Sequence, residues 1–312
     1  MNLSVGIVGL PNVGKSTLFN ALLKKQVALV ANYPFATIEP NVGVVEVPDE
    51  RLPVLAKIVQ TEKIVPAAIE FYDIAGLVKG ASQGEGLGNQ FLAKIREVQA
   101  VCHVLRCFSD PLIIKQGAIG PKDDFNTVTT ELGLSDLDHP GAPPFAQKPA
   151  IIVLNLDEKD LPEADMIEAK YAAELGVRRG QIIAINAKLE AEMADFSAEE
   201  QKEILNQYAL PDTGLNRLIK VAYGTLGLMS FLTAGKLEAR AWTIAAGTPA
   251  QEAAGVIHTD FIKNFIKADV VEYADFVKIG GWTKAREAGL VKTVGRDYQL
   301  QNGQVVEFKI GS

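Results

Sequence analysis

Apolar positions fall first into a short, mainly apolar run over residues 3–8, then into helical spacing over residues 16–23. The run predicts a buried strand and the spacing an amphipathic helix. The same alternation returns down the chain. Residues 42–47, 67–72, 100–108, 151–154 and 182–185 read as strands. Residues 51–60, 91–99 and the stretch from Gly214 towards Leu228 read as helices, the last capped by Asp212 or Thr213. Strands alternating with helices from Leu3 to about Leu228 predict an α/β fold, a mostly parallel sheet with helices on both faces. Ligands of such sheets bind beyond the C-terminal ends of the strands.

From Ala241 the rhythm changes. Residues 241–244 read as a strand, 248–255 and 259–265 as helical turns, and 270–277 as holding a further strand. Residues 298–308 contain Asn302-Gly303 and predict a hairpin with a tight turn. The expectation is therefore two domains, a larger one over residues 1–238 and a small α+β one over 239–312.

The candidate chemistry sits at the strand ends. Between the first strand and the first helix stands Gly9-Leu10-Pro11-Asn12-Val13-Gly14-Lys15-Ser16, which matches G-x-x-x-x-G-K-[ST]. Backbone N–H groups of such a loop converge on phosphate, with the positive end of the helix dipole behind them. Lys15 is expected to reach the β- and γ-phosphates and Ser16 to ligate Mg²⁺. The motif predicts binding of a nucleoside triphosphate.

Residues 32–41 are interrupted by Pro34 and Pro40 and lie where a nucleotide switch loop belongs. Thr37 is the candidate there for closing over the γ-phosphate and giving its hydroxyl to Mg²⁺; a plain surface turn is the alternative. Asp73 ends the strand at 67–72 and leads into Ile74-Ala75-Gly76, the second half of a phosphate site. Asp73 is expected to hold Mg²⁺ through water, and the Gly76 N–H to meet the γ-phosphate. Leu77 follows, where Ras-type enzymes use Gln to orient the attacking water. A leucine cannot do this, so either the switch is slow or another group positions the water. Gly80, Gly84, Gly86 and Gly88 then make a loop able to change shape with the nucleotide. Further on, Asn155-Leu156-Asp157-Glu158 stands where guanine-specific proteins carry N-K-x-D. Glu158 replaces the Asp that accepts the guanine N1–H and N2 protons, which favours ATP over GTP. Asn186-Ala187-Lys188 lies where backbone N–H groups often meet the base.

Charge narrows the field. The net charge of −7 argues against a general nucleic-acid binder. From residue 239 onward there are nine Lys and Arg against eight Asp and Glu. Those cations read either as a solvated face or as an RNA contact. No apolar run is long enough for a membrane span and no leader precedes the first strand, so a cytoplasmic location and no membrane partner are expected. Cys102 and Cys107 would point to opposite sides of one strand, which disfavours a disulfide or a shared metal and suggests buried thiols.

Taken together these motifs resemble the YchF-type Obg-like ATPases. The resemblance rests on residues 9–17, 34–41 and 73–89, on Arg106-Cys107-Phe108, and on Asn155 to Glu158. In the tail it rests on Arg240-Ala241-Trp242-Thr243-Ile244 and Ile257-His258-Thr259-Asp260-Phe261, so that nearly the whole chain is covered. It implies a P-loop domain of the translation-factor class, a C-terminal ubiquitin-like TGS domain, ATP hydrolysis and association with the ribosome, with the large subunit as the expected contact. It also implies that Asn12, Val13, Gly14, Lys15, Ser16 and Thr17 hold the phosphates. The base is then read at Asn155, at Leu156 by main chain, and at Glu158. RNA contact through the TGS-like domain is a further expectation.

Two departures stand out. The family carries a long coiled-coil insertion between the fourth and fifth strands of its nucleotide domain. Here Pro140, Pro143 and Pro144 precede the strand at 151, so no long helix fits near 133–148. The family's candidate catalytic His follows a pair of isoleucines after R-C-F, whereas here Ile113-Ile114 is followed by Lys115. Lys115 is a candidate for neutralising γ-phosphate charge, but an ammonium acts as a base only with a depressed pKa. His103 lies within a strand and reads as a satisfied core residue. Asn12 offers another route, since P-loop enzymes that use K⁺ as a catalytic charge hold it with an Asn at this position. The expectation is slow hydrolysis stimulated by K⁺ or a partner. Two alternatives are a nucleotide-gated ribosome adaptor with incidental hydrolysis and a GTPase with relaxed base selection.

Overall fold

The computed structural model describes residues 3–26, 41–74, 87–109, 120–138 and 143–311. Thr37, Gly76, Leu77 and Lys115 lie outside the described residues, as do the four loop glycines except Gly88. The chain runs β1 (Ser4–Val8), α1 (Lys15–Gln26), β2 (Val42–Glu46), α2 (Arg51–Val59), β3 (Ile64–Val65), β4 (Ala68–Asp73), α3 (Leu87–Glu97) and β5 (Ala100–Cys107). It continues through α4 (Pro121–Asp138), β6 (Ala150–Leu156), α5 (Ala164–Leu175), β7 (Ile182–Ile185), α6 (Ala187–Met193), α7 (Ala198–Gln207) and α8 (Gly214–Thr225). The last elements are β8 (Leu228–Ala234), β9 (Ala239–Ala245), α9 (Ala250–Ile257), α10 (Asp260–Lys263), β10 (Phe265–Val271), α11 (Tyr273–Ile279), α12 (Trp282–Glu287), β11 (Lys292–Val294) and β12 (Val305–Ile310).

These elements form two compact units. The first, Met1–Val45 with Ile69–Leu226, is built on a sheet of order β2-β4-β1-β5-β6-β7. β1 pairs in parallel with β4 (Val5 opposite Phe71) and with β5 (Val5 opposite Ala100). β5–β6 and β6–β7 are parallel as well. β1 is buried along its whole length and β5 everywhere but Cys107. Continuous apolar runs of this kind belong to strands covered on both faces, which is why periodicity alone finds them. Because β1, β4, β5, β6 and β7 are parallel, their C-terminal ends collect the candidate chemistry at one edge.

The second unit joins Glu46–Ala68 to Gly227–Ser312 around a sheet of order β11-β10-β12-β8-β9-β3. Phe231, Ile244, Phe265, Leu300 and Val306 lie in its core. Three expectations are corrected here. The boundary is not at 238/239, because β8 pairs antiparallel with β9 from Leu228–Ala245 to Ala234–Ala239 and a ladder of that length cannot be divided between domains. The helix at 51–60 exists, but it belongs to the second unit along with β3, which pairs in parallel with β9. Periodicity marks a helix's apolar face without saying which sheet that face will cover. Finally, Asn302-Gly303 does turn, with Gly303 at φ +83°, yet no local hairpin forms. β12 pairs instead with β10 antiparallel and β8 parallel, while Gln299 bridges to Pro249. Within 270–277, β10 ends at Val271 and helix α11 begins at Tyr273.

Thr213 caps α8 as expected, its hydroxyl accepting from Asn216 N–H at 3.1 Å. Cys102 is buried, which pushes its thiol up to about 12, and no disulfide links it to Cys107. Among the described residues no helix is long and apolar enough to cross a membrane.

His103 is a core residue but not a satisfied one. It packs edge-on against Phe125, with ring centroids 5.2 Å apart, and its Nδ1 is buried without a hydrogen bond among the described residues. Burial pulls its pKa from 6.5 down to about 4. Above pH 6.5 the folded and unfolded chains both carry neutral imidazole. Between 6.5 and 4 the unfolded chain takes up a proton that the fold refuses, so stability falls as pH falls, by about 3 kcal/mol over the window. His103→Leu is expected to remove this slope. Urea denaturation of both proteins at pH 7.5 and pH 4.5 checks it, and parallel pH profiles would show that His103 contributes nothing.

Candidate functional site

Parallel strand ends and the start of α1 enclose a cleft of about 540 Å³. From the loop side it is lined by Asn12, Gly14, Lys15, Ser16 and Thr17. The strand ends contribute Phe108, Ser109, Asn155, Leu156, Asp157 and the run Asn186, Ala187, Lys188. All of these residues lie in the first unit.

The loop's shape follows from its residue types. A Cβ on Gly9 would lie 2.5 Å from the Val104 carbonyl oxygen, so the backbone leaves β1 hard against β5. Asn12 takes φ +61°, a left-handed conformation that asparagine tolerates better than most residues. At Gly14, φ is +99° and a Cβ would overlap the Asn155 side-chain amide. Only glycine fits there. α1 then begins at Lys15, so the residues of its first turn, Lys15, Ser16 and Thr17, whose N–H groups have no partner within the helix, line the cleft.

Lys15 is buried, and its Nζ donates to the Leu10 carbonyl at 2.8 Å. Burial lowers its pKa, and the negative charge of Asp73 partly opposes that. An ammonium poorly served by water is primed to exchange its internal partner for an anionic oxygen. Beside it, the Ser16 hydroxyl donates to Asp73 Oδ2 at 3.3 Å, although the two residues belong to different elements. The other oxygen, Asp73 Oδ1, is buried with no hydrogen-bond partner among the described residues. A hydroxyl and a half-satisfied carboxylate beside a phosphate loop suit a hard divalent cation that keeps several of its waters.

Asn155 holds the cleft together. Its Nδ2 donates to the Val13 carbonyl and its Oδ1 accepts from Ala187 N–H, each at 3.0 Å. Both ends of the amide thus take part in joining the phosphate loop to the segment after β7, with one N–H and one lone pair left over. Asn186 is also committed, donating to the Leu156 carbonyl and capping α6 through Leu189 N–H, each at 2.8 Å. A second tie runs from α1 to the same region. Lys24 donates to Ala191 O at 2.9 Å, and Lys25 to Asn216 Oδ1. Glu190 accepts from Gly214 N–H at 2.6 Å and Leu215 N–H at 3.1 Å, and burial raises its pKa.

The structure thus gathers Asn12, Gly14, Lys15, Ser16, Thr17, Asn155 and Leu156 around one cleft, with Val13 buried beneath it and Asp73 beside Ser16. Glu158 is exposed, is not part of the lining, and accepts a hydrogen bond from Tyr208. Sequence reasoning passed over Ser109 and Asp157. Asp157 Oδ2 accepts from the Ser109 N–H at 3.2 Å and hydroxyl at 3.1 Å, tying the end of β5 to the end of β6. The only available signal was an acidic residue next to Glu158, and the motif match drew attention to Glu158 instead.

Comparison with known proteins agrees with this arrangement. Residues 4–156 match a family described as 50S ribosome-binding GTPase, and residues 228–311 match the YchF-GTPase C-terminal family, described as a protein of unknown function. The chain is similar to the ribosome-binding ATPase YchF of Haemophilus influenzae, with 43% identity over 361 positions covering 99% of each chain. It is 40% identical to the protein of the same name from Bacillus subtilis, again over 99% of each. The 361 aligned positions exceed the 312 residues here, so that relative has residues for which this chain has none. Among solved structures it resembles the Schizosaccharomyces pombe YchF GTPase, with a TM-score of 0.82, 30% identity, and coverage of 99% of this chain and 98% of that one. With a P-loop built as the motif demands, a matching C-terminal family and relatives aligned from end to end, this chain belongs to the YchF family.

Proposed function

We propose that this chain binds ATP with Mg²⁺, hydrolyses it slowly to ADP and phosphate, and signals its nucleotide state to the ribosome. The observation that carries the reading is the meeting of buried Lys15, the Ser16 hydroxyl and half-satisfied Asp73 behind a phosphate loop. The name ribosome-binding ATPase, borne by relatives that align over nearly the whole chain, supports the substrate and the partner. The solved fission-yeast relative is called a GTPase, so base choice deserves its own test.

In this reading Lys15 gives up Leu10 O for the β- and γ-phosphates, while Ser16 and Thr37 face the metal with Asp73 behind them. Mg²⁺, when bound, neutralises phosphate charge and orients the terminal phosphoryl group. Gly76 N–H meets the γ-phosphate and Lys115 supplies positive charge near it. Leu77 contributes no donor or acceptor for a water, which keeps intrinsic turnover low. Thr37 and the loop after Asp73 are the segments that report the γ-phosphate. Asn12, strained into the left-handed region at the cleft edge, is the proposed K⁺ ligand.

The second unit is read as the TGS-like domain and as the route of any RNA contact; the large subunit is the proposed docking partner and the cytoplasm the proposed location. α4 ends at Asp138 and β6 begins at Ala150, which supports the absence of the coiled-coil arm. Because Glu158 lies outside the cleft lining, preference for ATP rests on the missing guanine-reading Asp rather than on a contact from Glu158.

Single-turnover hydrolysis of ATP, in Na⁺ and in K⁺ and with or without ribosomes, tests the reading. Ribosomes are expected to accelerate it, and K⁺ to raise the rate about a hundredfold or more over Na⁺, the order of one well-aimed transition-state charge. Equal rates in the two salts would remove the role of Asn12. Ribosome binding without acceleration would favour an adaptor whose hydrolysis is incidental.

A further inference from the structure

We propose that Asp157 reads the exocyclic amino group of the bound adenine and thereby sets the base preference of the cleft. The inference rests on the ATP reading above and extends it to a residue with no assigned role. The polyphosphate belongs at the loop and the start of α1. The base therefore takes the part of the cleft formed by the ends of β5, β6 and β7.

The polar side chains there can be taken in turn. Each end of the Asn155 amide already makes one bond to backbone inside the protein, and so does each end of the Asn186 amide, so each is oriented by the protein and keeps one further N–H and one further lone pair, both uncharged. Glu158 is outside the lining and engaged by Tyr208. Lys188 is exposed and only a donor. Ser109 is held by Asp157. Asp157 is the single acidic residue among the described lining residues. Its Oδ2 takes both Ser109 donors, and no other donor among the described residues meets the carboxylate. The group is thus oriented from one side and retains acceptor capacity on the other.

A carboxylate only accepts, and adenine has a single donor on its base edge, the N6 amino group. The same position in hypoxanthine or guanine carries a carbonyl oxygen, which a carboxylate repels. Phe108 supplies an aromatic face in the same part of the cleft, held by Arg106, whose Nε donates to Phe108 O at 3.0 Å and whose guanidinium lies 4.9 Å from the ring centroid. An apolar face with one charged acceptor at its rim is how an amino-purine is told from its keto counterpart.

The test is competition against a fluorescent ATP analogue on the full chain with Mg²⁺, for wild type and Asp157→Asn. The competitors are ATP, purine riboside triphosphate (which lacks the amino group), ITP and GTP. Wild type is expected to bind ATP about tenfold more tightly than purine riboside triphosphate, the value of one charge-assisted hydrogen bond. Asparagine keeps an acceptor for Ser109 but offers the base an N–H. The ratio should then fall to about one, and ITP should gain on ATP. Each ratio is taken within one protein, so partial misfolding cancels. A variant that keeps the wild-type ratio overturns the role of Asp157 and leaves the ATP reading standing. A wild-type preference for GTP over ATP overturns the ATP reading itself, and the inference with it.

Discussion

Lys15→Met is expected to weaken Mg²⁺-ATP binding about a hundredfold while leaving the fold intact. In the structure the ammonium is buried and, among the described residues, donates only to the Leu10 carbonyl, with Asp73 as its nearby countercharge. Burial has already stripped it of much of its water, so phosphate contact costs little further desolvation. Each hydrogen bond between charged partners contributes about 1.5–3 kcal/mol, and 2.8 kcal/mol corresponds to roughly a hundredfold in affinity. Methionine preserves the apolar stem and removes the buried charge, so the thermal midpoint should change little. Calorimetric titration with Mg²⁺-ATP beside a thermal melt separates the two effects. Retained affinity in a folded variant would mean that the loop does not hold a polyphosphate, and the proposed function would fall with it.

Asn155→Ala should show the opposite division, a large loss of stability accompanied by weaker binding. Asn155 is buried and joins Val13 O to Ala187 N–H. Truncation orphans one acceptor and one donor, each at about 1–3 kcal/mol, so about 3 kcal/mol or more of local and global stability is at stake. Asn155→Asp provides the internal control. It keeps the acceptor for Ala187 but sets a carboxylate oxygen against the Val13 carbonyl, and should be at least as damaging despite its equal size. Urea denaturation followed by ATP titration measures both quantities. Should Asn155→Asp behave as wild type, the bridge between phosphate loop and β7 segment would be of no energetic consequence.

These two residues also mark how far local sequence reaches. Lys15 announces itself by spacing, because a phosphate loop is contiguous: strand, glycines, ammonium and hydroxyl must follow one another within a single turn of chain. Asn155 was legible as part of a base-reading motif, but its amide also bridges two backbone groups distant in sequence, and no pattern along the chain records that. Glu158 teaches the same lesson more sharply. The motif alignment assigned it to the base, whereas its exposed carboxylate meets Tyr208, a residue with no sequence signal at all. Asp157, one position earlier, lines the cleft instead.

By itself the sequence determined the α/β rhythm, the parallel strands, the phosphate loop and the place of Asp73, since each follows from short-range sterics, apolar periodicity and contiguous hydrogen-bonding groups. Only the tertiary structure decided that the segment between β2 and β4 joins the second unit, that β8 belongs with β9, and that β12 pairs with β10 and β8 rather than with its own neighbour across the Asn302-Gly303 turn. A turn residue sets the local path of the backbone and an apolar face sets what must be buried. The partner of each is chosen by competition among all the edges and faces that the folded chain brings within reach.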